Sequence, residues 1–245
     1  MSFISSILIG TPAILFFSVV TVLGQDNLTF EGFIEPSDLV DISSQANGIL
    51  KEVMVERGDR ITNGQAIARL NSDVEEAESE LAMARVEFAK RKVLRNEDLY
   101  KKELVSIHDK DEMETELKVS EQLLREAQAK LEIRTIRSTI DGVIVERFLS
   151  PGEYVGEEPI MRIARLDPLY VEVVIPAEKF GIIKKGDRAE VSLDIPKPRK
   201  YNASVIVVDR VVDAASGTFG VRLILRNPEY LLPAGLRCRV RFNAR

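Results

Sequence analysis

From Gly48 the apolar positions fall in short alternating runs broken by Gly-containing turns, the period of half-buried strands. "GILKEVMVERGDRITNGQAIARL" fills 48–70, and "GVIVERFLSPGEYVGEEPIMRIARL" fills 142–166. Each run opens on Gly (Gly48, Gly142) and two aliphatics, and places a second Gly ten residues later (Gly58, Gly152). An acid follows (Asp59, Glu153), then an aliphatic two positions on (Ile61, Val155), and both runs close on Ile-Ala-Arg-Leu. Asn63-Gly64 predicts a two-residue hairpin between "DRIT" and "QAIARL". Gly58, Gly64 and Gly152 are expected in turns that need positive φ. Neither run has enough strand to cover its own apolar face. The two are therefore predicted to pack on each other as one small β-sandwich, continuous in space and split in the chain.

Between the runs the period changes. Apolar residues stand at Leu70, Val74, Ala77, Leu81, Ala84 and Phe88, alternately four and three apart, and resume at Met113, Leu117, Leu124, Ala127 and Leu131, with Ser120 between. This is the seam of a coiled coil. Ser72 with Glu75 predicts a capping box for the first helix, and Ser106 with Asp109 a weaker one for the second. The link "KKELVSIH" is short, so the helices are expected to run antiparallel. A first helix of about 30 residues would reach roughly 45 Å. Near the link Arg91 and Arg95 occupy seam positions, where a partner surface would use them.

The charge sits mostly in this insert. From Asn71 to Arg134 there is no Gly or Pro, and 12 Lys/Arg stand against 17 Asp/Glu, which equals the net charge of −5 of all 245 residues. A solvated coiled-coil face accounts for most of it, and no basic surface argues for nucleic acid. With one Cys, Cys238, there is no internal disulfide and no Cys-based metal site. Cys238 lies in the alternating run "LRCRVRF" and reads as a small buried hydrophobe. His108, the one His, lies among charges, so no His-built metal site or triad is expected. There is no G-x-S-x-G and no phosphate loop, and no cofactor is expected. Residues 1–24 carry no charged side chain. They read as a signal peptide or as an uncleaved membrane anchor. Position 25 is Gln, so no lipid-bearing Cys follows. The mature chain is expected to be exported.

Split halves of this kind resemble the lipoyl/biotinyl fold, in which a modified Lys sits on the hairpin joining the halves. Here helix occupies that junction and no Lys stands on a tight β-turn, so a carrier role is not expected. The chain as a whole resembles the periplasmic adaptors (membrane fusion proteins, HlyD-like) of tripartite efflux pumps. "TIRSTIDGVI" is similar to the family's T-I-R-A-P-F-D-G-V-I, keeping Asp141 and Gly142 and departing at Ser138, Thr139 and Ile140. "RNEDLYKKELVS" fits the family's R-x3-L-x6-S pattern with Arg95, Leu99 and Ser106 in register. "DPLYVEVVIPAEKFGIIKKGDRAEVSL", "VDAASGTFGVRLIL" and "NPEYLLPAGLRCRV" are similar to its β-barrel domain, with Ser216-Gly217 where longer members often have Thr-Arg.

The resemblance implies a mostly β chain with an α-helical hairpin: a split barrel-sandwich hybrid interrupted by an antiparallel coiled coil, then a small β-barrel. The implied division is a leader or anchor (1–24), an N-terminal strand segment joining the barrel as an edge (25–45), lipoyl halves (46–70 and 135–166) around the hairpin (71–134), and the barrel (167–245). The membrane-proximal domain of many members tied to resistance-nodulation-division (RND) transporters is expected to be missing or much reduced. The implied role is a non-enzymatic connector in the periplasm, associated with the inner membrane. It would form a ring of several copies between an inner-membrane transporter, RND type first, and an outer-membrane channel. Arg95, Leu99 and Ser106 would dock on that channel, while Gly48, Gly58, Asp59, Gly64, Asp141, Gly142 and Gly152 would be structural. An ABC-type or polypeptide-secretion adaptor is the alternative partner class.

Overall fold

Two long strands run through the whole β-region of this computed structural model, which describes residues 28–194 and 199–243. Residues 1–24, and with them the leader-or-anchor reading, lie outside the described residues. The first long strand is β1 (Thr29–Ile42). There follow β2 (Gly48–Val53), β3 (Arg60–Ile61), β4 (Ala66–Leu70), the helices α1 (Asp73–Lys101) and α2 (Ile107–Glu132), then β5 (Thr135–Arg137), β6 (Gly142–Arg147) and β7 (Tyr154–Val155). The second long strand is β8 (Met161–Pro176), followed by a short 3-10 turn (Ala177–Lys179), β9 (Arg188–Leu193), β10 (Lys200–Val208), β11 (Thr218–Leu225) and β12 (Arg237–Phe242).

The order β1-β12-β9-β10-β11-β8 closes through β1–β8 pairing, which makes a six-stranded barrel. β1 therefore pairs on both sides and is not the edge strand expected of it, because β8 is long enough to reach it from Ile42 back to Gly32. Alternate residues of β8 (Leu169, Val171, Val173, Ile175) point into the barrel core with Ile34, Val191, Val221, Leu223 and Val240. The other ends of β1 and β8 enter the sandwich, past a bulge between Pro36 and Asp38.

The sandwich is held by pairings between the halves: β2 with β7, β3 with β6 and β4 with β5. Its core mixes Leu50, Ile61, Ile67 and Leu70 with Ile136, Ile144, Ile160 and Ile163. The two sequence halves are one unit, as the pattern predicts. The turn at Asn63-Gly64 is not the predicted hairpin. β3 and β4 lie in different sheets, and Asn63 N–H donates instead to Asp141 Oδ1 of the other half at 2.8 Å. Gly64 has φ +81°, and Gln65 N–H donates to Thr62 O, so the turn redirects the chain between layers. Gly142 is fixed by close approach: a Cβ there would stand 2.5 Å from Ala164 O. Arg60 joins sandwich to barrel, donating to Glu229 O at 2.5 Å with its guanidinium 4.5 Å from the Tyr230 ring centre.

The hairpin leaves the sandwich between Leu70 and Thr135 and is clamped at its base. Arg134 donates to Glu75 Oε1 at 2.5 Å and to Asn47 O at 2.7 Å. Its ion pair with Glu75 is less exposed than the other ion pairs found among the described residues. Glu75 is thus engaged across the hairpin base. Ser72 stands at the N-cap but donates to Glu76 Oε1, so the capping box predicted for α1 does not form.

Candidate functional site

At 1.5 Å per residue the 29 residues of α1 carry the far end of the hairpin about 43 Å from the sandwich. The two helices meet along a seam that agrees with the sequence on α2 and departs from it on α1. On α2, Met113, Leu117, Ser120, Leu124, Ala127 and Leu131 turn toward α1. On α1 the buried positions are Ser79, Ala82, Val86 and Ala89. The predicted α1 seam faces outward, with Leu81 56% and Phe88 55% exposed. Large side chains on α2 meet small ones on α1, which lets the helices approach closely, and this pairing displaces α1's larger stripe to the opposite face. Lys92–Glu116 and Lys90–Glu121 pair across the helices.

α1 ends without Gly. Lys102 is the C-cap and Glu103 takes φ +58°. Leu104 N–H donates to Leu99 O at 2.9 Å and Glu103 N–H to Tyr100 O at 2.9 Å, the paired bonds of a Schellman end. Such an end usually packs its last apolar residue on the helix; here Leu104 stays 70% exposed. α2 starts at Ser106 with a complete capping box. The hydroxyl Oγ accepts from Asp109 N–H at 3.1 Å, and Asp109 Oδ2 accepts from the Ser106 hydroxyl and N–H. Those bonds hold the Asp109 carboxyl below its usual range. Lys110 Nζ lies 4.8 Å from the Tyr100 ring centre and closes the turn.

The structure brings the predicted Arg95 and Leu99 onto one face of α1, one turn apart. Both extend the outward stripe of Val74, Leu81 and Phe88 toward the tip. Arg95 is exposed and has no hydrogen-bond or ion-pair partner among the described residues. Leu99 is partly exposed, and its carbonyl anchors the turn. Ser106 lies across the turn with its hydroxyl and amide both engaged within the cap. Sequence reasoning missed Leu104 and Ile107, which are exposed beside these residues. The available signal was their apolar character inside "KKELVSIH", a link that opens on three charged residues. The tip is therefore an apolar knob flanked by an unpaired guanidinium, with a hydrogen-bonded backbone holding both in place.

Residues 38–164 match the family model of the CzcB-like barrel-sandwich hybrid domain, and residues 168–245 match that of the CusB-like beta-barrel domain. The chain belongs to this family of membrane fusion proteins. Its relatives include the multidrug/solvent efflux pump periplasmic linker protein MepA of Pseudomonas putida, 23% identical over 222 residues that cover 84% of this chain and 58% of MepA. Multidrug resistance protein MdtE of Escherichia coli K12 is 25% identical over 230 residues, covering 82% of this chain and 60% of MdtE. A MacA–MexA chimeric protein carrying the Pseudomonas aeruginosa MexA α-hairpin domain superposes with a TM-score of 0.75 at 21% identity, over 89% of this chain and 81% of the chimera. This last likeness bears on fold. The chain spans 56–60% of the length of the first curated relatives it matches.

Proposed function

We propose that this chain is a periplasmic adaptor, a non-enzymatic connector that links an inner-membrane efflux transporter of RND type to an outer-membrane channel and supports export of small molecules. The observation that carries the reading is the hairpin tip, where Leu99, Leu104 and Ile107 stand exposed beside Arg95 at the end of a pair of helices far from either β-domain. An apolar anchor next to a forked donor fits a groove between channel helices, where helix-end carbonyls are free to accept. The outward stripe of α1 supports assembly into a ring, since an apolar helix face of this length is otherwise left to water. The names of the relatives support the export role.

The test pairs stability with function. Leu99→Asp is expected to leave the melting curve nearly unchanged and to abolish efflux and co-purification of the outer-membrane channel. Arg95→Asp is expected to do much the same. Ser106→Ala should lower stability by about 1 kcal/mol, as for other lost caps, with a smaller effect on efflux. Unfolding by Leu99→Asp would make Leu99 a structural residue. Normal folding with normal efflux would remove the tip from the contact surface. Crosslinking the wild-type chain in whole envelopes identifies the inner-membrane partner, and capture of an ATP-driven exporter would replace the RND assignment.

A further inference from the structure

The strand registers place three features at the barrel end remote from the hairpin. β1 begins there, with Thr29 opposite Arg241. The β8–β9 connection (177–187) starts there after Pro176, and the β10–β11 connection (209–217) ends there at Thr218, which pairs with Pro176. Ala177 N–H donates to Gly217 O at 2.8 Å and joins the two connections. Each presents apolar side chains to solvent. Val211 is 81% exposed, with Val212 beside it, and Phe180 is 52% exposed, with Ile182 beside it. These residues are held in place. The Phe180 ring stands edge-on to Phe219 with centroids 5.3 Å apart. Asp213 Oδ1 accepts from Ala215 N–H, and Asp213 N–H donates to Thr218 O.

We propose that this barrel end seats directly on a phospholipid bilayer, with Phe180, Ile182, Val211 and Val212 entering its interface. The 27 residues that precede the described part reach it at Leu28, whose carbonyl accepts from Phe242 N–H in the barrel wall. Their first 24 carry no charge. Three residues stand between Gly24 and Leu28, and the four residue steps span at most about 14 Å of extended chain. An apolar segment seated in the membrane would hold the barrel end at the headgroup level. Rigid exposed apolar residues there gain by entering the interface. Across the two connections Lys and Arg equal Asp and Glu, four of each. The contact is therefore apolar in origin and independent of anionic lipid. The proposal rests on the anchor reading of residues 1–24 and is independent of docking at the hairpin tip.

The chain contains no Trp, so V211W and F180W each introduce a single fluorescent reporter, and V119W on α2 is the control. The full chain is reconstituted into zwitterionic phosphatidylcholine vesicles with brominated acyl chains, and each variant's melting curve is compared with wild type. The chain is expected to float with the vesicles. Emission from V211W and F180W should shift blue and fall several-fold relative to unbrominated vesicles, while emission from V119W stays constant. Flotation without quenching at 180 and 211 overturns the bilayer contact and leaves the patch to a protein partner such as the transporter. Failure to float overturns both the contact and the anchor on which it rests. Quenching that appears only with anionic lipid overturns the apolar account.

Discussion

Gly58-Asp59 and Gly152-Glu153 build the same turn in the two halves. Each Gly has positive φ, at +95° and +93°. Each acid then folds its carboxylate back on the amide three residues before: Asp59 Oδ2 accepts from Glu56 N–H, and Glu153 Oε2 from Ser150 N–H, both at 2.7 Å. Gly186-Asp187 in the barrel repeats the device on Lys184 N–H. The positive φ of Gly58 and Gly152 was legible because it is local, a Gly at the third turn position; the return of each carboxylate to the amide, and the third copy of the turn in the barrel, come from the structure. Gly142 was legible as a special position but not for its reason, which is a carbonyl more than twenty residues away. Gly142→Val is expected to cost about 1–3 kcal/mol or to prevent folding, read by urea titration. Gly48→Ala should be milder, because its added methyl meets a side-chain end, the Arg134 guanidinium at 2.9 Å, and its cost is the loosening of that clamp on Asn47 and Glu75. Cys238 is buried, as the alternation of its strand implies, and burial pushes its thiol from 9.0 up to about 11. The folded state thus favours the protonated thiol. Its contribution is full below pH 9 and is lost as pH rises toward 11, by about 2–3 kcal/mol at most. Unfolding titrations of wild type and Cys238→Val across that window should diverge, the wild type falling more steeply.

At the scale of the element, α2 was readable and α1 was read one face out. α1 carries two heptad-spaced stripes, one of Ser79, Ala82, Val86 and Ala89, the other of Val74, Ala77, Leu81, Ala84 and Phe88. Period alone ranks the larger residues as the seam. Packing selects the smaller ones, because α2 already supplies Leu117, Leu124 and Leu131 and the space between two close helices is finite. The helix ends were equally dependent on context. Ser106 caps α2 with its own Asp109, whereas Glu75 is drawn to Arg134, a residue no local pattern connects to it. Two outcomes follow from the inverted seam. Ala82→Leu should destabilise the hairpin by about 1–3 kcal/mol through overpacking. Leu81→Asp with Phe88→Asp should leave the monomer within about 0.5 kcal/mol of wild type, as surface changes do. If neighbouring hairpins pack through that stripe, the double variant should lose self-association in sedimentation velocity.

At the scale of the molecule, the two apolar cores found among the described residues lie in the β-region, and the hairpin contributes to neither. Replacing Ser72–Ile133 with a short Gly-rich turn should leave a protein with sheet-like circular dichroism and a cooperative melt; a disordered product would show that the halves need the helices to find each other. The split sandwich was visible in sequence because its halves repeat. The shared course of β1 and β8 was not, since β1 meets residues some 120–140 positions away and bends at a bulge that periodicity does not mark. That shared course has a mechanical consequence. In the proposed role, a connector fixed at one end and gripped at the other would carry tension. Tension between Leu28 and the hairpin would run along β1, whose antiparallel bonds to β8 and β12 lie across the strand axis. Those bonds bear the load together, in shear, instead of opening one after another like a zipper. Force-extension traces with handles at Leu28 and Leu104 should show abrupt high-force rupture of β1, preceded by easy unravelling of the exposed hairpin, which would act as a fuse protecting the barrel.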